Sequence, residues 1–299
     1  MSQPDRPHIH KERSDATVYI PRKSHKIFSY GHMTQCFTEV HFFFRTVSRL
    51  CKLTYSEFTH VKSAYLSLDI LVKYNFTMSG KVVLTYFNGR GRMESIRWLL
   101  AVAGVEFEEV NITKRQEYVK LLSDGALMFE QVPLVEMDGM KLVQTKAILN
   151  YIAGKYSLYG KDLKERVMID MYAEGVQDLM QLMMALPFMP PDANKTKLEE
   201  IERKATSRYL PVFEKALFSS QYLVGNQLSC ADVQLLETTL MLEEKFPTIL
   251  SKFPVVKAFQ GRMKSLPAIH KFLQPGSKRK PQSDDIYVKT VCEVLDFKP

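Results

Sequence analysis

Cysteine is scarce in this sequence, which has four in 299 residues, at Cys36, Cys51, Cys230 and Cys292. None belongs to a CxxC pair, and none has the spacing to histidine that marks a zinc site. Neither a disulfide framework nor a metal site is therefore indicated. The pattern fits a reducing compartment, and we expect a cytosolic protein.

Long apolar runs are also absent. The first twenty residues carry several charges and no apolar stretch, so they lack the hydrophobic region of a secretory signal. The most apolar later stretches, 41–44 and 65–72, are bounded or interrupted by charges such as Arg45 and Asp69. Both fall short of the ~20 clean residues that a membrane span needs. The sequence predicts neither export nor a membrane span.

A strong charge of one sign is missing from most of the chain. The formal net charge is +8, but residues 1–77 hold 11 Lys and Arg against 6 Asp and Glu, leaving 30 against 27 for residues 78–299. Nucleic-acid binding needs a clustered basic face that releases counterions from the phosphates. The near balance of the main part argues against such a partner.

Residues 1–77 differ in character from the rest. They show neither sustained helical periodicity nor strand alternation bounded by turns. Six of the seven histidines lie there without a recurring helical spacing, which disfavours metal binding, at His8, His10, His25, His32, His41 and His60. We interpret 1–77 as an extension unrelated to the rest, either disordered or a gene-model artefact.

Residues 78–160 alternate strand-like and helix-like segments. KVVLTYF reads as a strand and NGRG as a turn, while Asp138-Gly139 marks a hairpin between the last two strands. A final helix begins at Gln144-Thr145, with Ala147, Ile148, Tyr151 and Ile152 predicted to face inward. The order β-α-β-α-β-β-α over about 80 residues predicts a thioredoxin-like α/β domain.

Residues 161–299 carry only helical patterns and predict an all-α domain. Ser229 and Asp232 have the spacing of a capping box before one of these helices. A proline-rich stretch, 273–281, precedes a last segment with Tyr287, Val291 and Val294 at helical spacing. We interpret that segment as a mobile terminal helix.

Several ordered stretches, including TYFNGRGRMESIRWLL, QVPLVEMDGMKLVQTKAILNYIAGKY and YLVGNQLSCADV, resemble alpha-class cytosolic glutathione transferases. The likeness spans residues 80–299 and nothing before Met78. It implies the glutathione transferase fold, with a glutathione-binding domain at 78–160 and a helical domain at 161–299 that carries the hydrophobic electrophile site. It also implies conjugation of glutathione to apolar electrophiles in detoxification, with no cofactor beyond this cosubstrate.

The resemblance assigns thiol activation to two residues. A thiol with a pKa near 8.5 is only a few per cent thiolate at neutral pH, and the thiolate is the nucleophile. Tyr86 and Arg92 match the family positions that stabilise this anion. An isolated tyrosine at the end of a strand would more simply be a packing residue, but a thioredoxin-like domain without CxxC needs another thiol handler.

Glutathione binding is implied for a further set. Val132-Pro133 matches a cis-proline turn that pairs with the cysteinyl part, and Gln131, Gln144 and Thr145 match contacts to the γ-glutamyl end. A pure helix cap is the alternative role for Thr145.

Two other positions and one departure complete the comparison with the family pattern. Asp178 and Arg208 match residues that reach glutathione in the neighbouring subunit, with a surface ion pair as their alternative. Leu122 stands where the family usually has a long polar residue, so one contact to the glycyl carboxylate is in doubt.

Phe129 carries the expected subunit contact. In the family it inserts between helices of the partner subunit, near positions that match Met171 and Phe213. The resemblance therefore implies a homodimer, or a heterodimer with other alpha-class subunits.

The C-terminal stretch SKRKPQSDDIYVKTV resembles the alpha 4-like subgroup, which conjugates 4-hydroxyalkenals from lipid peroxidation. A tyrosine of that subgroup matches Tyr287, whose alternative role is packing with Val291 and Val294. Two other enzymatic uses of the same site stay open, isomerisation of ketosteroids and reduction of organic hydroperoxides. A carrier that binds hydrophobic ligands without turnover is the non-enzymatic alternative.

Overall fold

A computed structural model describes residues 80–297. The predictions for the extension 1–77, including its histidines, lie outside the described residues. Within the described part, no helix is both long and apolar enough to cross a membrane.

The first part of the described chain contains a four-stranded sheet in the order β2-β1-β3-β4. Strand β1 runs parallel to β2, where Tyr86 is opposite Asn111, and antiparallel to β3. The hairpin between β3 and β4 turns at Asp138 and Gly139, whose φ values are 53° and 74°. Both central residues of a type I′ turn need positive φ, which explains the Asp-Gly pair. The bounds are β1 Val82–Tyr86, α1 Glu94–Val102, β2 Phe107–Asn111, α2 Arg115–Ser123, β3 Leu134–Met137, β4 Met140–Val143 and α3 Thr145–Lys155, with a 3₁₀ turn at Gly91–Met93.

The second part is helical throughout. Its elements are α4 Leu163–Ala185, α5 Pro191–Lys204, a π-helical turn Ala205–Tyr209, α6 Leu210–Ala216, α7 Cys230–Lys245, α8 Pro254–Ser265, α9 Pro267–Leu273 and α10 Asp285–Leu295, with 3₁₀ turns at Leu186–Phe188 and Ile249–Lys252. The predicted fold class, a thioredoxin-like α/β domain followed by an all-α domain, is confirmed.

One predicted core position in α3 is wrong. Ile148 and Ile152 are buried, but Ala147 is exposed and Tyr151 is only half-buried. Leu149 and Ala153 take the inward positions instead. The Tyr151 hydroxyl donates a 2.5 Å hydrogen bond to Asp138, so that side chain is held toward the hairpin.

Caps fix the ends of the two helices that matter most for the site. Asp232 accepts a hydrogen bond from the Ser229 backbone N–H at 2.9 Å, and the Ser229 side chain accepts from the Asp232 backbone N–H, as the predicted capping box requires. The Ser229 hydroxyl also donates to Asp232 at 2.6 Å. Asp284 caps α10 by accepting from the Tyr287 backbone N–H at 2.8 Å. This cap places Tyr287 in the first turn of α10, and Tyr287, Val291 and Val294 are all buried, at the predicted helical spacing.

Candidate functional site

The phenol of Tyr86 lies where β1 ends and the chain turns toward α1. Its Oη accepts a 3.1 Å hydrogen bond from the backbone N–H of Arg92. A phenol oxygen that accepts one hydrogen bond still has its own hydrogen to donate. The Tyr86 side chain is therefore fixed by the backbone at the N-terminal end of a helix, and its hydroxyl hydrogen is available to an anion.

A second phenol, that of Tyr287, lies beside the first. A methyl group on Gly91 would be 2.5 Å from Tyr86 Oη and 2.7 Å from Tyr287 Oη. Both phenol oxygens therefore lie close to Gly91 and close to each other. Burial raises the pKa of Tyr287 above its ordinary value, and the neighbouring Tyr86 phenol raises this pKa further. Tyr287 is therefore protonated at neutral pH and acts as a hydrogen-bond donor.

Both phenols line a cleft of about 690 Å³ between the sheet part and the helical part. The structure brings together here all the predicted catalytic and glutathione-binding residues of the first part of the chain, Tyr86, Arg92, Gln131, Val132, Pro133, Gln144 and Thr145. Their individual roles stay predictions. No group of three or more His, Cys, Asp and Glu side chains between residues 80 and 297 is arranged to hold a metal ion.

The polar end of the cleft is built around Gln144. This residue has φ 68° and ψ 109°, a conformation that costs free energy in a residue other than glycine. Its Nε2 donates to Gln131 Oε1 at 3.1 Å, and the adjacent Thr145 hydroxyl donates to the Arg92 carbonyl at 3.4 Å. Val132-Pro133 is a cis peptide, as predicted. Unusual backbone at this position is typical of ligand-binding sites.

The apolar end of the cleft is formed by the helical part. Phe188 packs on the Tyr287 ring, with ring centroids 6.2 Å apart, and Met184, Val291 and Leu295 extend the wall. The sequence gave no signal that Phe188 or Leu295 would line this wall. A cleft with one polar end and one apolar end can bind a charged ligand at the first and an apolar ligand at the second.

A smaller cavity of about 200 Å³ shares Gly91, Met184 and Tyr287 with the cleft and reaches Leu198 and Met241. The ring of Tyr287 therefore borders both spaces. Movement of this one side chain would change the shape of both.

Asp178 and Arg208 do not line the cleft. Both are exposed on the helical part, and neither forms an ion pair with another residue of the range 80–297. Arg208 belongs to the π-helical turn Ala205–Tyr209, an irregularity that often marks functional positions. Their predicted contact with a neighbouring subunit's glutathione stays a prediction.

Phe129 is 59% exposed, in the loop before Gln131. Met128 beside it and Met171 on α4 are also exposed, whereas Phe213 is buried and packs against Tyr172. We call Met128, Phe129 and Met171 the apolar surface set. Leu122 packs in a small apolar cluster with Ala126, Leu127 and Leu134 and does not line the cleft.

Arg97 is a residue that sequence reasoning missed. Its side chain is only 1% exposed, and it donates to the Gly89 carbonyl at 2.8 Å and to Glu94 at 2.9 Å. Gly89 belongs to the loop 88–91, which follows β1 and ends at the first residue of the 3₁₀ turn Gly91–Met93. Arg97 therefore holds the loop on which the site is built.

Comparison with protein-family models gives two matches. Residues 82–154 match "Glutathione S-transferase, N-terminal domain", and residues 177–276 match "Glutathione S-transferase, C-terminal domain".

Curated relatives match over most of this chain and all of their own length. Glutathione S-transferase 3 of Gallus gallus is 60% identical over 228 residues, which is 74% of this chain and 100% of the relative. Glutathione S-transferase A2 of Bos taurus is 59% identical and Glutathione S-transferase A4 of Mus musculus 58% identical, with the same coverage of 74% and 100%.

Two solved structures are similar in fold. NaGST-2 is 32% identical with a TM-score of 0.58, and it covers 66% of this chain and 98% of its own. Na-GST-3 of Necator americanus, described as monomeric, is 30% identical with a TM-score of 0.60, covering 69% of this chain and 100% of its own.

Proposed function

Because the chain belongs to the glutathione S-transferase family and is a glutathione transferase, we propose that its electrophiles include 4-hydroxyalkenals from lipid peroxidation. The observation that carries this proposal is the position of the Tyr287 phenol, which lines the same cleft as Tyr86 and lies beside its hydroxyl. The Tyr86 phenol would donate a hydrogen bond to the sulfur of glutathione, and the Tyr287 phenol would donate one to the carbonyl oxygen of the electrophile.

In the proposed mechanism, Tyr86 supplies the thiolate. Lowering the thiol pKa by ~2 units needs ~2.7 kcal/mol of preferential stabilisation of the anion. A charge-assisted hydrogen bond from the Tyr86 hydroxyl, with the Arg92 cation lining the same cleft, is of that size. The thiol proton passes to water when glutathione ionises.

The thiolate then attacks the β-carbon of the alkenal. A carbon–sulfur bond forms, the electron pair of the C=C bond moves toward the aldehyde oxygen, and the α-carbon takes a proton from water. No group leaves, so the adduct contains all the atoms of both substrates. Tyr287 donates a hydrogen bond to the oxygen as it becomes enolate-like, and this interaction is strongest in the transition state.

The apolar wall of the cleft can contact the alkyl chain of such an electrophile. Met184, Phe188 and Leu295 line the cleft near Tyr287, so a chain that extends from the aldehyde can lie against them. We propose that this wall selects apolar electrophiles generally and that the Tyr287 hydroxyl adds the preference for alkenals. Both statements rest on the position of Tyr287 in the first turn of α10.

Tyr287→Phe tests the alkenal proposal. We expect kcat/KM for 4-hydroxynonenal to fall by roughly tenfold or more, because the variant loses a donor to the developing oxyanion. Activity toward a simple aryl halide, which develops no charge on a carbonyl oxygen, should change much less. Steady-state kinetics on both substrates give the answer.

Val294→Ala is the matched control, since it trims the same helix at a buried position that does not line the cleft and keeps the phenol. A packing role predicts similar losses on both substrates in both variants. Equal losses in Tyr287→Phe would overturn the alkenal proposal. Product analysis of the native enzyme separates conjugation from the two alternative uses of the thiolate, ketosteroid isomerisation and hydroperoxide reduction.

We also propose that the enzyme is a homodimer that works in the cytosol without a further cofactor. The side chains of the apolar surface set are exposed in the single chain, and large apolar side chains left open to water often mark a surface that a partner covers. Asp178 and Arg208 lie away from the cleft of their own chain, so any role in glutathione binding requires a second subunit.

Phe129→Ser tests the dimer. We expect the variant to sediment as a monomer at micromolar concentration and to lose activity, since Asp178 and Arg208 would no longer reach the neighbouring site. Phe218→Ser is the control, because Phe218 is also exposed but lies outside the apolar surface set. A fully active Phe129→Ser monomer would contradict the shared site.

A further inference from the structure

The segment between α9 and α10 is tied to the sheet part of the molecule through Lys280. The Lys280 backbone N–H donates to Glu94 Oε1 at 3.2 Å, and its carbonyl accepts from Arg90 Nε at 2.8 Å. The Lys280 Nζ lies 2.6 Å from Glu109 Oε2 and 3.1 Å from Asn88 Oδ1. One residue of the helical part therefore bonds to four residues of the sheet part.

The ion pair between Lys280 and Glu109 is largely shielded from water. The Lys280 side chain is 15% exposed and that of Glu109 14%, whereas the Lys289–Glu293 pair on α10 is 76% and 65% exposed. An exposed ion pair contributes little because water and salt screen it. A pair that is largely removed from water has a stronger attraction, and its loss leaves a poorly solvated carboxylate.

The partners of Lys280 are themselves fixed. Glu94 and Arg97 are each 1% exposed and lie 2.9 Å apart, and Arg97 also pairs with Glu109. Arg97 holds the Gly89 carbonyl, and Arg90 forms a bidentate pair with Glu244 of α7 at 2.7 and 3.0 Å. Three of the four partners of Lys280, Arg90, Glu94 and Glu109, are therefore held in place by other ion pairs.

The loop 88–91, to which Lys280 bonds, also contacts the ring of Tyr287. A methyl group on Gly89 would be 2.3 Å from the Tyr287 ring, so the ring lies directly on this glycine. Lys280 bonds to Asn88, the preceding residue, and stands seven positions before Tyr287 in the sequence. The loop 88–91 thus bonds to Lys280 in the segment between α9 and α10 and also packs against the ring of Tyr287, which follows that segment.

We propose that Lys280 is a positioning residue for the electrophile site, which holds α10 against the loop 88–91 and so keeps the Tyr287 hydroxyl beside Tyr86. Lys280 itself touches neither substrate. The effect on alkenals rests on the proposed function, but the positional effect on α10 does not.

Lys280→Met tests the proposal, because methionine keeps the apolar stem and the backbone bonds but removes the cation. We expect kcat/KM for 4-hydroxynonenal to fall about fivefold to tenfold, the loss of one largely buried charge-assisted bond, and aryl halide activity to fall less than twofold. Lys280→Arg should restore most of the alkenal activity. Lys289→Met, which breaks the exposed pair on α10, should change neither activity.

A double variant makes the test specific to position. If Lys280 acts through Tyr287, Lys280→Met should cost little in a Tyr287→Phe background, because the hydroxyl that it positions is already gone. Additive losses would overturn the proposal. Similar losses on both substrates in Lys280→Met alone would also overturn it, since they would indicate general destabilisation.

Hydrogen exchange separates this inference from the alkenal assignment. Mass spectrometry should find faster amide exchange in the peptide covering α10 in Lys280→Met, and unchanged exchange there in Lys289→Met. If the native enzyme does not turn over alkenals, the proposed function fails while this measurement still decides the role of Lys280. Unchanged exchange in Lys280→Met would overturn the proposal.

Discussion

Replacing Tyr86 by phenylalanine is expected to lower turnover at neutral pH by roughly tenfold to a thousandfold. The variant keeps the ring, which packs at 5.2 Å from the Phe87 ring, but removes the hydroxyl hydrogen that would bond to the thiolate. The bound thiol should therefore titrate at a higher pH. Because more of it stays protonated at neutral pH, the loss should shrink as the assay pH rises.

Ultraviolet absorbance of the thiolate, followed as a function of pH in the enzyme–glutathione complex, measures this pKa directly. Tyr151→Phe is the matched control, since the Tyr151 phenol bonds to Asp138 and does not line the cleft. The control should leave both thiol pKa and rate unchanged. An unchanged pKa and rate in Tyr86→Phe would exclude Tyr86 as the activating group.

Gly91→Ala is expected to reduce activity toward every electrophile by roughly a hundredfold, because the methyl group would displace both phenols. The added carbon would lie 2.5 Å from Tyr86 Oη and 2.7 Å from Tyr287 Oη, well inside contact distance. Gly91 also has φ +40°, which disfavours any side chain. Steady-state kinetics with 4-hydroxynonenal and an aryl halide, together with thermal melting, measure the effect.

Gly89→Ala is the contrasting variant. Its methyl group would meet the Tyr287 ring at 2.3 Å, and no atom of Tyr86 is among its nearest contacts. We therefore expect Gly89→Ala to lower alkenal activity selectively, as we expect of Tyr287→Phe. Gly91→Ala should instead lower the activity toward both the alkenal and the aryl halide. Near-native activity in Gly91→Ala would show that the two hydroxyls need not keep their present positions.

The order of elements could be predicted from the sequence because each local signal has a local cause. The Asp138-Gly139 turn and the Ser229–Asp232 cap depend on residues a few positions apart, and both form as predicted. The prediction for the inward face of α3 contained one error, because its apolar residues fit more than one helical offset. Packing against the sheet selected Leu149 and Ala153 over Ala147.

The site was only partly accessible to the same reasoning. Resemblance to a family, rather than spacing, named Tyr86, Gln131 and Tyr287, and the cleft contains all three. The ion pairs behind the loop 88–91 went unnoticed, because Lys280 and its partner Glu94 are 186 positions apart. Nothing in a single sequence specifies which of many charged residues will meet after folding.

The position of Tyr287 on α10, far along the chain from Tyr86 on β1, has a consequence for how duplicated genes diverge. On the proposed roles of the two phenols, changes confined to the last helix would alter the choice of electrophile while the first strand and its turn continued to ionise glutathione. Selection could then change the range of electrophiles that one copy conjugates without altering the residues proposed to activate glutathione. Recombination near the proline-rich stretch 273–281 would transfer such a preference between paralogues in a single event.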